Sequence, residues 1–213
     1  EMYQDIKLPF WCQTRIETIN EYKFKKLKDV GLDRITFGIE HGNEKFRREV
    51  IKRNYSNKDS IRLMKIISDL DIIHSVNNII GFPGETRKLA FDTIEFNRNL
   101  NADDTSCSTL IPFNGTEIRQ IAESQGLIKS DKICTIADSE EEGVLDMPQW
   151  RKKDVAKLRN TFAMYIKFPK SRWPEIKKAE DDPVLRSKLS TEFIETFWKK
   201  TDDDLQEAAR GLF

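Results

Sequence analysis

Four short apolar stretches, LPFWCQT (8–14), RITFGIE (34–40), IHSVNNIIG (73–81) and TSCSTLI (105–111), alternate with segments of helical period up to Gly126. Each stretch predicts a strand. Between the first two, Asn20 stands as N-cap before EYKFKKLKDV, where Phe24, Leu27 and Val30 share a face and Gly31 follows the end. After the second, Asn43 caps EKFRREVIKR, and Ser56 with Asp59 forms a capping signal before SIRLMKIISDL, whose Ile61, Met64 and Ile67 share one face. The third strand runs into GFPGET, where Thr86 caps RKLAFDTIEFNRNL. The fourth runs into PFNGTEIRQIAESQG, closed by Gly126.

Strand, helix, strand in this rhythm predicts βαβ units and a parallel sheet with helices packed on it, so the fold class is α/β. A complete eightfold barrel takes about 250 residues, whereas about four parallel βα units fit here before the pattern stops. Residues 1–128 therefore read as half a barrel. Residues 129–150, acidic in the middle and aperiodic, read as a loop or linker, and 151–213 as a helical C-terminal extension. Within the extension Val155, Leu158, Phe162 and Tyr165 keep helical spacing until Pro169, and the closing TDDDLQEAARGLF is expected to fray. The first strand is left with a bare parallel edge, which upstream strands of the same protein or a partner chain should cover.

Composition narrows the function classes. Lys+Arg 36 against Asp+Glu 36 gives zero formal net charge, so no global basic field recruits nucleic acid or anionic lipid. No run approaches the roughly 18 apolar residues that span a bilayer, and EMYQDIKLPFW has no signal-peptide pattern, which points to a cytoplasmic protein that binds neither membrane nor nucleic acid. Cys12, Cys107 and Cys134 are too scattered for a disulfide framework or a zinc ribbon. Residue 1 is Glu, which suggests an excerpt of a longer protein.

In parallel α/β sheets the ligand crevice lies at the C-terminal strand ends. That rim carries Arg15, then Glu40 and His41, then Asn77, Asn78 and the GFPGE turn, then Pro112, Asn114 and Gly115. Arg15 and Glu40 form either a structural ion pair or a pair that grips a polar ligand with both charges. In the turn, Gly81 and Gly84 permit close backbone approach, Pro83 stiffens the bend and Thr86 opens a helix N-terminus. Asn77 and Asn78 point to opposite faces of their strand, one toward the helices and one toward the interior. His41 and His74 read as hydrogen-bonded or solvated residues, and the runs KFKKLK and RREVIKR as solvated helix faces.

QTR at 13–15, RITFGIEHGNEKFRREVIKRN from 34, IIGFPGET from 79 and LIPFNGTEI from 110 resemble the second half of a radical S-adenosylmethionine (SAM) core domain. The likeness is nearest to the branch that carries an N-terminal cobalamin-binding domain, and FAMYIKFPKSRWPEIKKAE resembles that branch's helical extension. The resemblance implies the C-terminal half of a partial (βα)6 TIM-like barrel, family strands three to six. In the family a [4Fe–4S] cluster reductively cleaves SAM to a 5′-deoxyadenosyl radical; methylation is the usual outcome in the cobalamin branch. It also implies a small-molecule or biosynthetic-intermediate substrate and a reductant such as flavodoxin or ferredoxin. The family's CxxxCxxC loop is absent from this sequence. The resemblance therefore places the cluster ligands and any cobalamin domain in a missing N-terminal part of the same protein, leaving this piece inactive alone.

Carried over by position, Glu40 contacts the SAM ribose or amino group and Arg15 faces the same cavity. Asn78 joins the cofactor wall, Gly81, Phe82, Pro83 and Gly84 offer backbone contacts beside the adenine, and Pro112 and Gly115 shape the last strand end nearby. No residue here breaks bonds, because the cofactor carries that chemistry. The alternative is a cluster-free α/β module that binds a nucleotide-like ligand or a partner protein.

Overall fold

The computed structural model describes Ile6 and residues 8–137 and 143–198. The predicted closing stretch at 201–213 lies outside the described residues. Strand β1 (Phe10–Arg15) leads through a short turn to helix α1 (Glu21–Asp29), then to β2 (Leu32–Glu40) and helices α2 (Glu44–Glu49) and α3 (Asn57–Asp69). Strand β3 (Ile73–Ile80), α4 (Arg87–Leu100), β4 (Asp104–Thr109) and α5 (Glu117–Ser124) follow. The four strands form one parallel sheet in the order β1-β2-β3-β4, as the alternating pattern predicts.

One face of the sheet is apolar and covered. Ile35, Phe37 and Ile39 of β2 and Val76 of β3 pack with Phe24 of α1, Met64 and Ile67 of α3, and Phe96 and Leu100 of α4, all buried. The same alternation leaves the opposite face of β2 and β3 half-exposed, with Gly38, Glu40, Ser75 and Asn77 on it. The helix starts follow local chemistry: the side chains of Asn20, Asn43, Ser56, Thr86 and Thr116 each accept the backbone N–H three residues on.

Residues 143–150 are irregular, as expected of a loop, but they do not run as a solvated linker. Leu145, Met147 and Trp150 are buried, and Met147 pairs with Trp150 in a short antiparallel bridge. Burial of these apolar side chains outweighs the acidic character of the preceding stretch.

The chain divides into two compact units, Glu1–Arg159 and Asn160–Phe213, with the boundary inside helix α6 (Lys152–Lys167). In the second unit, α7 (Trp173–Ala179) and α8 (Pro183–Phe193) follow a turn after Pro169. Asp182 caps α8, with Pro183 at its first position. Tyr165 donates from its hydroxyl to the buried Glu180 carboxylate at 2.6 Å and lies edge-on to Trp173. Among the described residues no helix is long and apolar enough to cross a membrane.

Candidate functional site

The strand register sets the open face in rows. Gln13, Thr36, Ser75 and Asp104 stand side by side across the sheet, and Arg15, Gly38, Asn77 and Ser106 form the next row toward the C-terminal ends. Above these rows lies a cavity of about 420 Å³ bordered by Arg15, Glu40, Arg53 and Asn77 among others. Its position at the carboxyl ends of parallel strands is where such sheets bind ligands.

Glu40 is built into this cavity under strain. Its backbone is left-handed, φ 64°, and the His41 N–H donates to the Ile39 carbonyl at 2.8 Å, closing a three-residue turn around it. The pairing of β2 with β3 shifts register between Gly38 and Glu40, which turns the carboxylate back over Gly38. A Cβ at Gly38 would stand 2.6 Å from Glu40 Oε1, so any larger residue there would displace the carboxylate. Burial pushes the Glu40 carboxyl above its ordinary range, with Arg53 and then Arg15 pulling it partly back.

The direct ion pair on Glu40 is with Arg53, at 3.2 Å, and Arg53 also donates to the Gly38 carbonyl at 2.8 Å. Arg15 acts on Glu40 only through its field, so the predicted Arg15–Glu40 pair is replaced by Arg53–Glu40. Reading RREVIKR as a solvated helix face overlooked this residue. Helix α2 ends at Glu49, and the chain turns through Lys52, φ 60°, back over the end of β2. The fully buried Arg47 holds that return: its guanidinium donates to the carbonyls of His41 (2.6 Å) and Tyr55 and stacks on the Tyr55 ring at 3.7 Å. Tyr55 in turn donates its hydroxyl to the Ile39 carbonyl. A stacking tyrosine eight residues after an arginine carries no periodic signal, which is why only the structure finds the set.

The GFPGE turn forms as its glycines and proline require. The Glu85 N–H donates to the Phe82 carbonyl at 2.9 Å with Pro83 and Gly84 (φ 78°) between them, the residue pattern of a type II turn. The buried Glu85 carboxylate accepts the Gly81 and Phe82 N–H groups at 2.6 and 3.0 Å. His41 Nδ1 accepts the Asn43 N–H at 3.0 Å, which assigns the proton to Nε2, and Nε2 donates to Glu85 at 3.2 Å. His41 is thus fully buried and ties the turn after β2 to the turn after β3.

Of the predicted site residues, Arg15, Glu40 and Asn78 border the cavity. Asn78 does so with its amide engaged elsewhere: it exchanges hydrogen bonds with Asn97 of α4 at 2.8 and 3.1 Å, so the face-of-strand ambiguity resolves with Asn77 on the cavity side. Gly81, Phe82, Pro83 and Gly84 lie at the neighbouring strand end, with Phe82 and Pro83 buried and Gly84 exposed. Pro112 is buried, and its carbonyl accepts from the buried Arg119 at 3.4 Å.

A carboxylate, two guanidiniums and several amides around one cavity suit a zwitterionic ligand with hydroxyl groups. The same residues do not suit an iron–sulfur cluster. Among the described residues no group of three or more His, Cys, Asp or Glu side chains could hold a metal ion. Burial raises the Cys12 and Cys107 thiols, the opposite of what a thiolate ligand needs.

Residues 6–96 match the model of the radical SAM superfamily. The chain is 25% identical over 171 residues to an uncharacterized methyltransferase of Pyrococcus horikoshii, covering 78% of this chain and 36% of that protein. It is 29% identical over 111 residues to biotin synthase of Persephonella marina, covering 52% of this chain and 32% of the relative. The chain thus spans about a third of the length of these relatives. Coproporphyrinogen III oxidase from Escherichia coli, a radical SAM enzyme, shares the fold with TM-score 0.54 and 17% identity over 76% of this chain and 33% of its own.

Proposed function

We propose that this chain forms the SAM-binding wall of a radical SAM enzyme whose cluster ligands come from residues other than those described. The observation that carries the reading is the strained Glu40 turn, which holds a half-buried carboxylate against Arg53 at the mouth of the cavity. When bound, SAM and a [4Fe–4S] cluster supply the reductive C–S cleavage that defines the superfamily. The chain's own residues bind and orient. Glu40 accepts from the ribose hydroxyls or the amino group, while Arg15 and Arg53 offer donors to the carboxylate. The backbone from Gly81 to Gly84 flanks the base, and the buried Glu85 fixes that backbone.

Methyl transfer is the outcome we favour, supported by the name of the Pyrococcus relative and by the resemblance of the motifs to the cobalamin-carrying branch. Cobalamin, where used, would be held outside the described residues, and electrons would come from a flavodoxin or ferredoxin. The test is anaerobic reconstitution of the full-length protein with iron and sulfide, followed by EPR with and without SAM. The expected result is a [4Fe–4S] signal that SAM perturbs, and in Glu40→Ala the same cluster with the perturbation lost at equal SAM concentration. A full-length protein that takes up no cluster would instead support the cluster-free module binding a nucleotide-like ligand.

A further inference from the structure

A parallel barrel interior is ordinarily filled by bulky branched apolar side chains. The open face of this sheet is not. Thr36, Ser75, Asn77 and Ser106 stand in adjacent rows and are already ordered by one another: Thr36 and Ser75 hydroxyls lie 2.6 Å apart, and Ser106 donates to Asn77 Oδ1 at 2.7 Å. Trp11 Nε1–H donates to Thr36 Oγ1 at 3.0 Å, tying β1 into the same chain of bonds. These bonds fix the side chains without saturating them. Asn77 keeps both Nδ2 donors, and the Gln13 amide at the row's end has no partner among the described residues. Below the charged mouth, the cavity therefore has a floor of fixed, neutral hydroxyl and amide groups.

We infer that this floor is a substrate subsite, and that the substrate presents hydroxyl or amide groups to it, as a sugar, nucleoside or peptide does, rather than a hydrocarbon surface. The inference rests on the proposed SAM reading for the mouth of the cavity and goes beyond it in naming the substrate class. An apolar occupant would strip water from the Asn77, Gln13 and hydroxyl groups and return no hydrogen bonds, whereas a polyol or amide replaces each lost water contact. The Glu40 carboxylate and Arg53 lie over Gly38 in the row nearer the mouth, whereas the Thr36–Ser75 pair in the row below carries only hydroxyls, which favours neutral polar groups over ions at that depth.

The experiment uses the full-length protein saturated with S-adenosylhomocysteine, which occupies the mouth. Methyl β-D-glucopyranoside and nicotinamide serve as polar probes, and toluene and indole as apolar ones. The readout is the side-chain NH2 resonances of Gln13 and Asn77, assigned by their loss in Gln13→Leu and Asn77→Leu. The polar probes are expected to shift both resonances saturably, and Ser106→Val is expected to weaken that binding at least tenfold. Shifts by the apolar probes alone, or by neither class, overturn the inference while leaving the SAM reading intact. Failure of S-adenosylhomocysteine to bind overturns the SAM reading, and the polar-probe shifts then judge the floor separately.

Discussion

Glu40 joins two requirements that oppose each other. Its carboxyl is raised by burial despite Arg53 and Arg15, so the folded protein binds that proton more tightly than the unfolded chain does. Ionised Glu40 therefore opposes folding: the penalty is absent below the ordinary carboxyl range, grows as pH rises toward the raised value, and is complete only above it. Glu40→Gln is expected to raise Tm at neutral pH, by about 2–4 °C for each kcal/mol relieved in a chain of this size, with the gain vanishing in acid. The same variant should bind SAM roughly tenfold or more weakly, since hydrogen bonds to charged groups contribute about 1.5–3 kcal/mol. Thermal melts across pH together with SAM titration check both halves. Gly38→Ala is expected to weaken SAM binding with little change in Tm, because the new methyl would meet the flexible ends of Glu40 and Arg53 and leave backbone alone. At this scale the sequence was legible where a residue's role is local. Glu40 closes its own strand, whereas Arg53 reaches it from 13 residues on, by way of a turn that no pattern announces.

Elements were the most legible level, because strands and caps are dictated by neighbours. Asn20, Asn43, Ser56 and Thr86 cap where the sequence places them, and all four predicted strands form, although β4 (Asp104–Thr109) itself is polar and its apolar Leu110 and Ile111 lie just beyond it. The shortfall lies in α2, whose pattern runs to Arg53 but whose helix stops at Glu49. Tertiary bonds from Arg47 and Tyr55 to the end of β2 favour the return loop over continued helix. Arg47→Leu is expected to destabilise the protein by about 2–4 kcal/mol, since it strips the donor from two carbonyls and the stack from Tyr55. Hydrogen exchange should show residues 51–57 losing protection first. Arg48→Leu, at an exposed position on the same helix, should change stability by no more than about 0.5 kcal/mol.

For the molecule as a whole, the sheet ends in the strand β1, whose Trp11 is 57% exposed and whose neighbour Leu8 is 58% exposed. A parallel edge with large apolar side chains is a template for pairing with another strand. The chain expressed by itself is expected to self-associate, shown by concentration-dependent sedimentation, and Trp11→Lys should shift it toward monomer. A monodisperse, cooperatively melting monomer at high concentration would count against this. The four-stranded parallel sheet was legible from the count of βα units, but the division of the chain within α6 was not, since helical period continues across residue 159 without interruption.

The central claim is that the cavity around Glu40 and Arg53 binds SAM. Its most direct test is calorimetric titration of SAM into the full-length protein as wild type, Glu40→Ala and the Arg48→Ala control. Saturable binding in wild type and control, at least tenfold weaker in Glu40→Ala with the fold retained, is the result predicted here. Equal affinity in wild type and Glu40→Ala would contradict it.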